Sequence, residues 1–140
     1  MVNAATKQAP EKGRRLSILI ADDEQDTVTT LAAILEDEGH AVHTVTSGAL
    51  VMHAIERFKP EVCIIDIEMP GRSGYSLARE ISGSGDPERP LLIGISGKWK
   101  TQTDKFLAKS VGFDHFFVKP AEPDEIIAAL APLRGQTPAA

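Results

Sequence analysis

Polar residues stand where the apolar runs of this chain stop. Leu16–Ala21 runs into Asp22 and Asp23, Val62–Ile65 into Asp66, Leu91–Ile95 into Ser96, and Phe116–Val118 into Lys119 and Pro120. Three carboxylates gathered in one cleft repel one another, so either some hold protons or a cation joins them. An all-oxygen set suits Mg²⁺ or Mn²⁺ better than Zn²⁺, and Mg²⁺ keeps room for waters and phosphate oxygens. Ser96 adds a hydroxyl and Lys119 a mobile ammonium. A divalent ion, an ammonium and a hydroxyl around a carboxylate are what a developing phosphoryl charge requires. The chemistry these residues suggest is phosphoryl transfer onto a carboxylate, giving an aspartyl phosphate.

Such chemistry needs the residues brought together, and strand and helix patterns alternate along the chain in a way that does so. The run Leu16–Ala21 is β-rich, and Val28, Leu31, Ala32 and Leu35 then share one helix face. Gly39 suits the end of that helix. Ala41–Thr46 reads as a second strand. A helix with Val51, Ala54, Ile55 and Phe58 on its face follows, stopped by Pro60. Val62–Ile65 is the third strand, Gly74, Leu77, Ala78 and Ile81 mark the third helix, and Ser82–Arg89 is a loop. Leu91–Ile95 is the fourth strand, with a helix near Thr101–Val111. Phe116–Val118 is the fifth strand, and Ile126, Ala129, Leu130 and Leu133 line the last helix.

Five βα units imply an α/β fold, a parallel sheet with helices on both faces. Strands one, three and four are near-continuous apolar runs, as expected with both faces covered. Strand two is the most polar and belongs at an edge. The simplest arrangement is a doubly wound, flavodoxin-like sheet in the order 2-1-3-4-5. Its ligand crevice lies where the order reverses, between strands one and three. Asp22, Asp23 and Asp66 should converge there. Residues 1–15 and 135–140 read as flexible tails around one domain over 16–134.

Composition narrows the functions further. The 140 residues carry 15 basic and 20 acidic side chains, a net charge of −5, and an acidic domain is a poor non-specific binder of nucleic acid or anionic lipid. A single cysteine, Cys63, excludes an internal disulfide framework. The apolar runs are too short to cross a bilayer, and the N-terminus has no apolar signal core, so a cytoplasmic domain is expected. The histidines His40, His43, His53 and His115 lack metal-ligand spacing. Lys98-Trp99-Lys100 is weak as a nucleic-acid patch and reads as an exposed loop, with protein docking through Trp99 a second possibility.

Together, Ile20-Ala21-Asp22-Asp23-Glu24, Ile65-Asp66-Ile67-Glu68-Met69-Pro70-Gly71, Ser96 and Phe117-Val118-Lys119-Pro120 resemble the receiver domain of two-component response regulators over about residues 16–133. The stretch Gly112–Pro120 looks most like receivers that accompany hybrid histidine kinases. The resemblance implies that Asp66 accepts the phosphoryl group. It implies Mg²⁺ on Asp23, Asp66 and the backbone carbonyl of Glu68, with Asp22 holding the ion through water. Ser96 and Lys119 would bind the phosphoryl group, the Lys119–Pro120 bond would be cis, and Phe116 would be the switch aromatic. The donor would be a histidine kinase or phosphotransfer protein. With no output domain expected in the tails, the signal would leave through a downstream protein target or a homodimer. The chain would catalyse only its own phosphorylation and dephosphorylation. Glu68 departs from the family pattern by placing a negative charge at the mouth of the site.

Each residue also has a plainer role: Asp22 or Asp23 as a helix cap, Asp66 in a turn, Ser96 as a cap hydroxyl, Lys119 solvated, Phe116 in the core. Their coincidence at four strand ends favours the site. A degenerate receiver acting as a constitutive interaction module is the alternative that Glu68 raises. A carboxylate-nucleophile phosphatase, which Asp66-Ile67-Glu68 loosely resembles, would carry its acidic pair after the first strand. A flavin module would need Ser, Thr or Gly where Asp22-Asp23-Glu24 stands.

Overall fold

A computed structural model of the chain describes residues 13–97 and 102–135, the side chains of Gln102 and Thr103 excepted. The expectations for residues 1–12 and 136–140, and for Lys98-Trp99-Lys100, lie outside the described residues. The strands are β1 (Ser17–Ala21), β2 (Ala41–Val45), β3 (Val62–Asp66), β4 (Leu91–Ser96) and β5 (His115–Val118). The helices are α1 (Gln25–Asp37), α2 (Val51–Phe58), α3 (Gly74–Ser82), α4 (Gln102–Ser110) and α5 (Pro123–Leu130), with 3₁₀ turns at Gly48–Leu50 and Ala131–Arg134.

All strand pairs are parallel, and the sheet order is β2-β1-β3-β4-β5. The period of two splits the central strands between two cores. Leu19, Ala21, Cys63, Ile65 and Leu92 face α2, α3 and α4. Ile18, Ile20, Val62, Ile64, Ile93 and Ile95 face α1 and α5. Residues such as Leu19, Ile20, Ile64 and Ile65 are wholly buried, each worth roughly 1.5–3 kcal/mol. That double burial explains why β1 and β3 read as unbroken apolar runs.

Local chemistry sets the helix ends. Gly39, at φ +101°, turns the chain after α1, and Lys59, at φ 49°, does the same after α2, next to Pro60. The Ser73 hydroxyl caps α3 by accepting from the Ser76 amide at 3.2 Å. Pro123 opens α5, where no amide donor is needed.

Several expectations need correction. Asp66 and Ser96 are the last residues of their strands, paired with Ile95 and Val118, rather than the first residues beyond them. The helix expected near Thr101–Val111 is present and spans Gln102–Ser110, with Thr101 outside the described residues. Phe58 leaves the core face of α2: it is 36% exposed, stacked on His43 at 3.8 Å with the Arg57 guanidinium over its ring. The last helix stops at Leu130, and Leu133 belongs to the 3₁₀ turn that follows.

The pole of the sheet opposite the acidic residues carries a network that the periodicity does not reveal. Buried Arg134 donates to the Arg14 carbonyl at 2.8 Å and the Glu38 carbonyl at 2.9 Å. Arg14, placed in the tail by composition, donates through its amide to the Arg134 carbonyl and through its guanidinium to Glu61. Buried His40 accepts from the Leu16 amide through Nδ1 at 3.1 Å.

Candidate functional site

The doubly wound order fixes where the polar strand ends meet. The chain leaves β1 for β2 on one side and returns through α2 to β3 on the other. A crevice therefore opens between the carboxyl ends of β1 and β3. Asp22 follows β1 and is fully buried, Asp23 is exposed beside it, and Asp66 closes β3 at 3% exposure. One carboxylate oxygen from each of Asp22, Asp23 and Asp66 lies within 4.8 Å of the others.

Lys119, just past β5, reaches back into this cluster. Its Nζ lies 2.9 Å from Asp22 Oδ2, 3.2 Å from Asp66 Oδ2 and 3.5 Å from Glu24 Oε1. The contact to Asp66 is a hydrogen bond. Asp22 Oδ2 is close enough for an ion pair, yet it receives no well-angled donor and is a buried oxygen without a hydrogen bond. The other oxygens are held by backbone: Asp22 Oδ1 accepts from the Glu24 amide at 2.9 Å, and Asp66 Oδ1 from the Glu68 amide at 3.1 Å. Asp66 thus has one oxygen fixed by the following loop and one aimed at the ammonium.

The electrostatics follow from burial and crowding. Burial pushes the Asp66 carboxyl up to about 6, aided by the Asp22 charge and opposed by the Glu68 amide and Lys119. Burial pulls Lys119 down, but its close contacts with the Asp22 and Asp66 carboxylates outweigh that and hold the ammonium above its usual range. Glu24 lies below the usual carboxylate range because the Thr27 hydroxyl donates to it at 2.9 Å and Lys119 is near. Glu24 is the site residue that its sequence position alone did not single out. Its signal was the third acid in Asp22-Asp23-Glu24.

One cation does not balance three acids, and the orphaned Asp22 Oδ2 faces the same cluster. Oxygen-only donors at this spacing fit Mg²⁺, which takes one or two carboxylates and fills its octahedron with water and phosphate oxygens. The other expected residues surround the cluster. Ser96 is buried at the end of β4, and its carbonyl accepts the Lys119 amide at 2.8 Å. Glu68 is half-buried at the mouth, and the Lys119–Pro120 peptide is cis. Phe116 is half-buried, paired with Gly94 and packed on the core beneath α2, α3 and α4. The acids open into a groove of about 940 Å³ with Leu31, Ile34, Pro123 and Ile126 along it and Asp26 on its rim. Among the described residues no other cluster of metal-ligating side chains occurs, and no helix is long and apolar enough to cross a membrane.

Comparison with known proteins points the same way. Residues 18–131 match the family model of the response regulator receiver domain. The chain is 34% identical over 109 residues to the aerobic respiration control protein ArcA of Escherichia coli, covering 78% of this chain and 44% of ArcA. It is 28% identical over 113 residues to protein PilH of Pseudomonas aeruginosa, covering 81% of this chain and 93% of PilH. The chain spans about half the length of ArcA and of the transcriptional regulatory protein CreB, 44% and 51% respectively. In fold it is similar to the receiver domain of the Francisella response regulator 1452, with a TM-score of 0.79 at 22% identity, covering 86% of this chain and 98% of that one.

Proposed function

Because the chain belongs to the response regulator receiver family, we propose that it is a cytoplasmic, single-domain response regulator switched by phosphorylation of Asp66. Receiver domains are phosphoryl-accepting regulators that meet histidine kinases or phosphotransfer proteins and downstream targets. PilH, matched over 93% of its length, supports the single-domain reading. The observation that carries the proposal is the convergence of Asp22, Asp23, Asp66 and Lys119 at the switch point of the sheet.

The donor is a phosphohistidine. Asp66 Oδ2 attacks phosphorus, a P–O bond forms, the P–N bond breaks, and its electron pair leaves with the imidazole. Asp66 is suited to this because the Glu68 amide holds Oδ1, while Oδ2 has only the mobile Lys119 ammonium to give up when it meets the donor. A Mg²⁺ held by Asp22, Asp23, Asp66 and the Glu68 carbonyl would supply positive charge to the phosphoryl oxygens. Lys119 exchanges its Asp66 contact for a phosphoryl oxygen, and the Ser96 hydroxyl donates to another. Movement of Ser96 opens room into which the Phe116 ring turns, altering the face made by α4, β5 and α5. The groove beside Leu31, Ile34 and Ile126, with its acidic rim, suits a donor surface of apolar and basic side chains.

Incubation with acetyl phosphate and Mg²⁺, followed by intact mass measurement, tests the proposal. The wild type should gain one phosphoryl group and Asp66→Asn none. A wild type that stays unmodified by acetyl phosphate and also ignores beryllofluoride overturns it.

A further inference from the structure

We propose that the turn at Ser47–Leu50 is a latch that positions the loop behind the phosphoacceptor, with Gly48 its positioning residue. The proposal rests on the reading of Asp66 as phosphoacceptor. The loop between Asp66 and α3 is tied at its start, where the Glu68 amide holds Asp66 Oδ1. It is tied at its end, where the Gly74 amide donates to the Ile67 carbonyl at 2.8 Å. Its middle is held by Met69 in the core and by the Arg72 guanidinium on Ser76 and Glu80, and its backbone also rests on the neighbouring turn.

That contact is unusually close. The Gly48 amide donates to the Pro70 carbonyl at 2.9 Å. A Cβ on Gly48 would lie 1.9 Å from the Arg72 carbonyl oxygen and 2.7 and 2.8 Å from its C and N. All three are backbone atoms, so relief requires the loop itself to move. Gly71 returns the contact: it holds φ +87°, and a Cβ there would lie 2.8 Å from Ser47 Oγ and 3.0 Å from the Ala49 amide nitrogen. Ser47 Oγ accepts from the Ala49 amide at 3.2 Å and donates to the Pro70 carbonyl at 3.4 Å. The turn is itself immobilised by Val51 and Ala54, which are buried in the core under α2.

The consequence reaches the reacting atoms through a short path. Pro70 is two residues from Glu68, and the Glu68 amide decides which Asp66 oxygen faces the donor. Displacing the middle of the loop rotates that amide and frees Asp66 to turn. A displacement near 1 Å at a reacting group costs about 100-fold in rate.

The test is Gly48→Ala, with Ser47→Ala as the milder variant that keeps the backbone. Leu35→Val, in the opposite core, is the control for general loss of stability. Rates of acetyl phosphate phosphorylation are measured at saturating Mg²⁺ with thermal midpoints alongside. The maximal rate should fall about 100-fold in Gly48→Ala and several-fold in Ser47→Ala, and stay within about two-fold of wild type in Leu35→Val at comparable loss of thermal midpoint. The Glu68 amide resonance should move toward its position in Asp66→Ala, which lacks the hydrogen bond. A folded Gly48→Ala with the wild-type rate and an unmoved Glu68 amide overturns the latch while leaving the Asp66 reading intact. If Gly48→Ala does not fold, Ser47→Ala decides by the same two readouts. A wild type that takes no phosphate removes both readings together.

Discussion

The displaced titrations of His40 and Asp66 should oppose each other, and separate variants should expose them. His40 is 4% exposed, and its Nδ1 must stay unprotonated to accept the Leu16 amide. Burial, then the Arg134 charge, lowers it from 6.5 to about 4, against the smaller pull of Glu38 and Glu61. Below pH 6.5 the unfolded chain therefore binds a proton that the folded chain refuses. The stability this contributes is present above 6.5 and drains away as the pH falls toward 4. Asp66, raised to about 6 mainly by burial, has the opposite sign. The folded chain binds its proton first, so its contribution is present below the unfolded value and is lost as the pH rises through about 6.

Linkage gives the size. Lowering the pH from about 7.5 to about 4.5 should cost about 2.5 kcal/mol through His40 and return about 2 kcal/mol through Asp66. The pair nearly cancels in the wild type. His40→Asn keeps an acceptor where Nδ1 lies and removes the titration. Relative to wild type it should gain about 2.5 kcal/mol on acidification, and Asp66→Asn should lose about 2 kcal/mol. The assay is urea unfolding in EDTA at several pH values, read by far-ultraviolet circular dichroism with slopes compared to confirm two-state behaviour. Carboxylates that lie away from both sites are common to the three proteins, so their contributions cancel in the differences. A His40→Asn difference that stays flat within about 0.5 kcal/mol across this range refutes the buried neutral imidazole.

Three further outcomes follow from the same contacts. Mg²⁺ should stabilise the fold by relieving repulsion among Asp22, Asp23 and Asp66, by about 2.7 kcal/mol at one hundred times its Kd, and the thermal midpoint should rise with it. Asp23→Ala should lose most of that shift in differential scanning fluorimetry, and EDTA should reverse it. Arg134→Ala strands the Arg14 and Glu38 carbonyls at the opposite pole and should cost about 3 kcal/mol in urea unfolding. Gly94→Ala places a methyl 3.1 Å from the Phe113 ring and should cost about 1–3 kcal/mol by overpacking, measured in the same way.

The fold was legible because burial on two faces leaves a mark that burial on one does not. β1, β3 and β4 are continuous apolar runs bounded by polar residues, and β2 betrays its edge position by its polarity. Three features escaped because their cause is tertiary. Phe58 fits the helical period of α2 but stacks on His43 of the neighbouring strand. Arg134 carries no sequence signal of burial, yet it is buried and satisfied by backbone carbonyls. The Gly48 turn looks like ordinary punctuation, and only the approach of Arg72 shows that no side chain fits.

The acids were legible for a different reason, and that reason bears on how the switch is poised. Strand ends at a switch point border one crevice, so Asp22, Asp23 and Asp66 could be grouped from topology alone, while Lys119, at the end of the edge strand β5, was placed with them by the family resemblance. Topology does not say how their charges settle. Lys119 is shared among Asp22, Asp66 and Glu24, so no acid owns it. Asp66 consequently keeps a raised pKa despite an ammonium 3.2 Å away, because burial and Asp22 outweigh that help. A carboxylate left under-compensated is a stronger nucleophile than one locked in a private ion pair. Phosphorylation would let the ammonium exchange its Asp66 contact for a doubly charged partner while it keeps its ion pair with Asp22. Glu24→Gln should therefore draw Lys119 closer to Asp66 and slow phosphorylation by acetyl phosphate a few-fold. An unchanged or faster rate would mean that Glu24 does not share the lysine in solution, and that Asp66 owes its reactivity to burial alone.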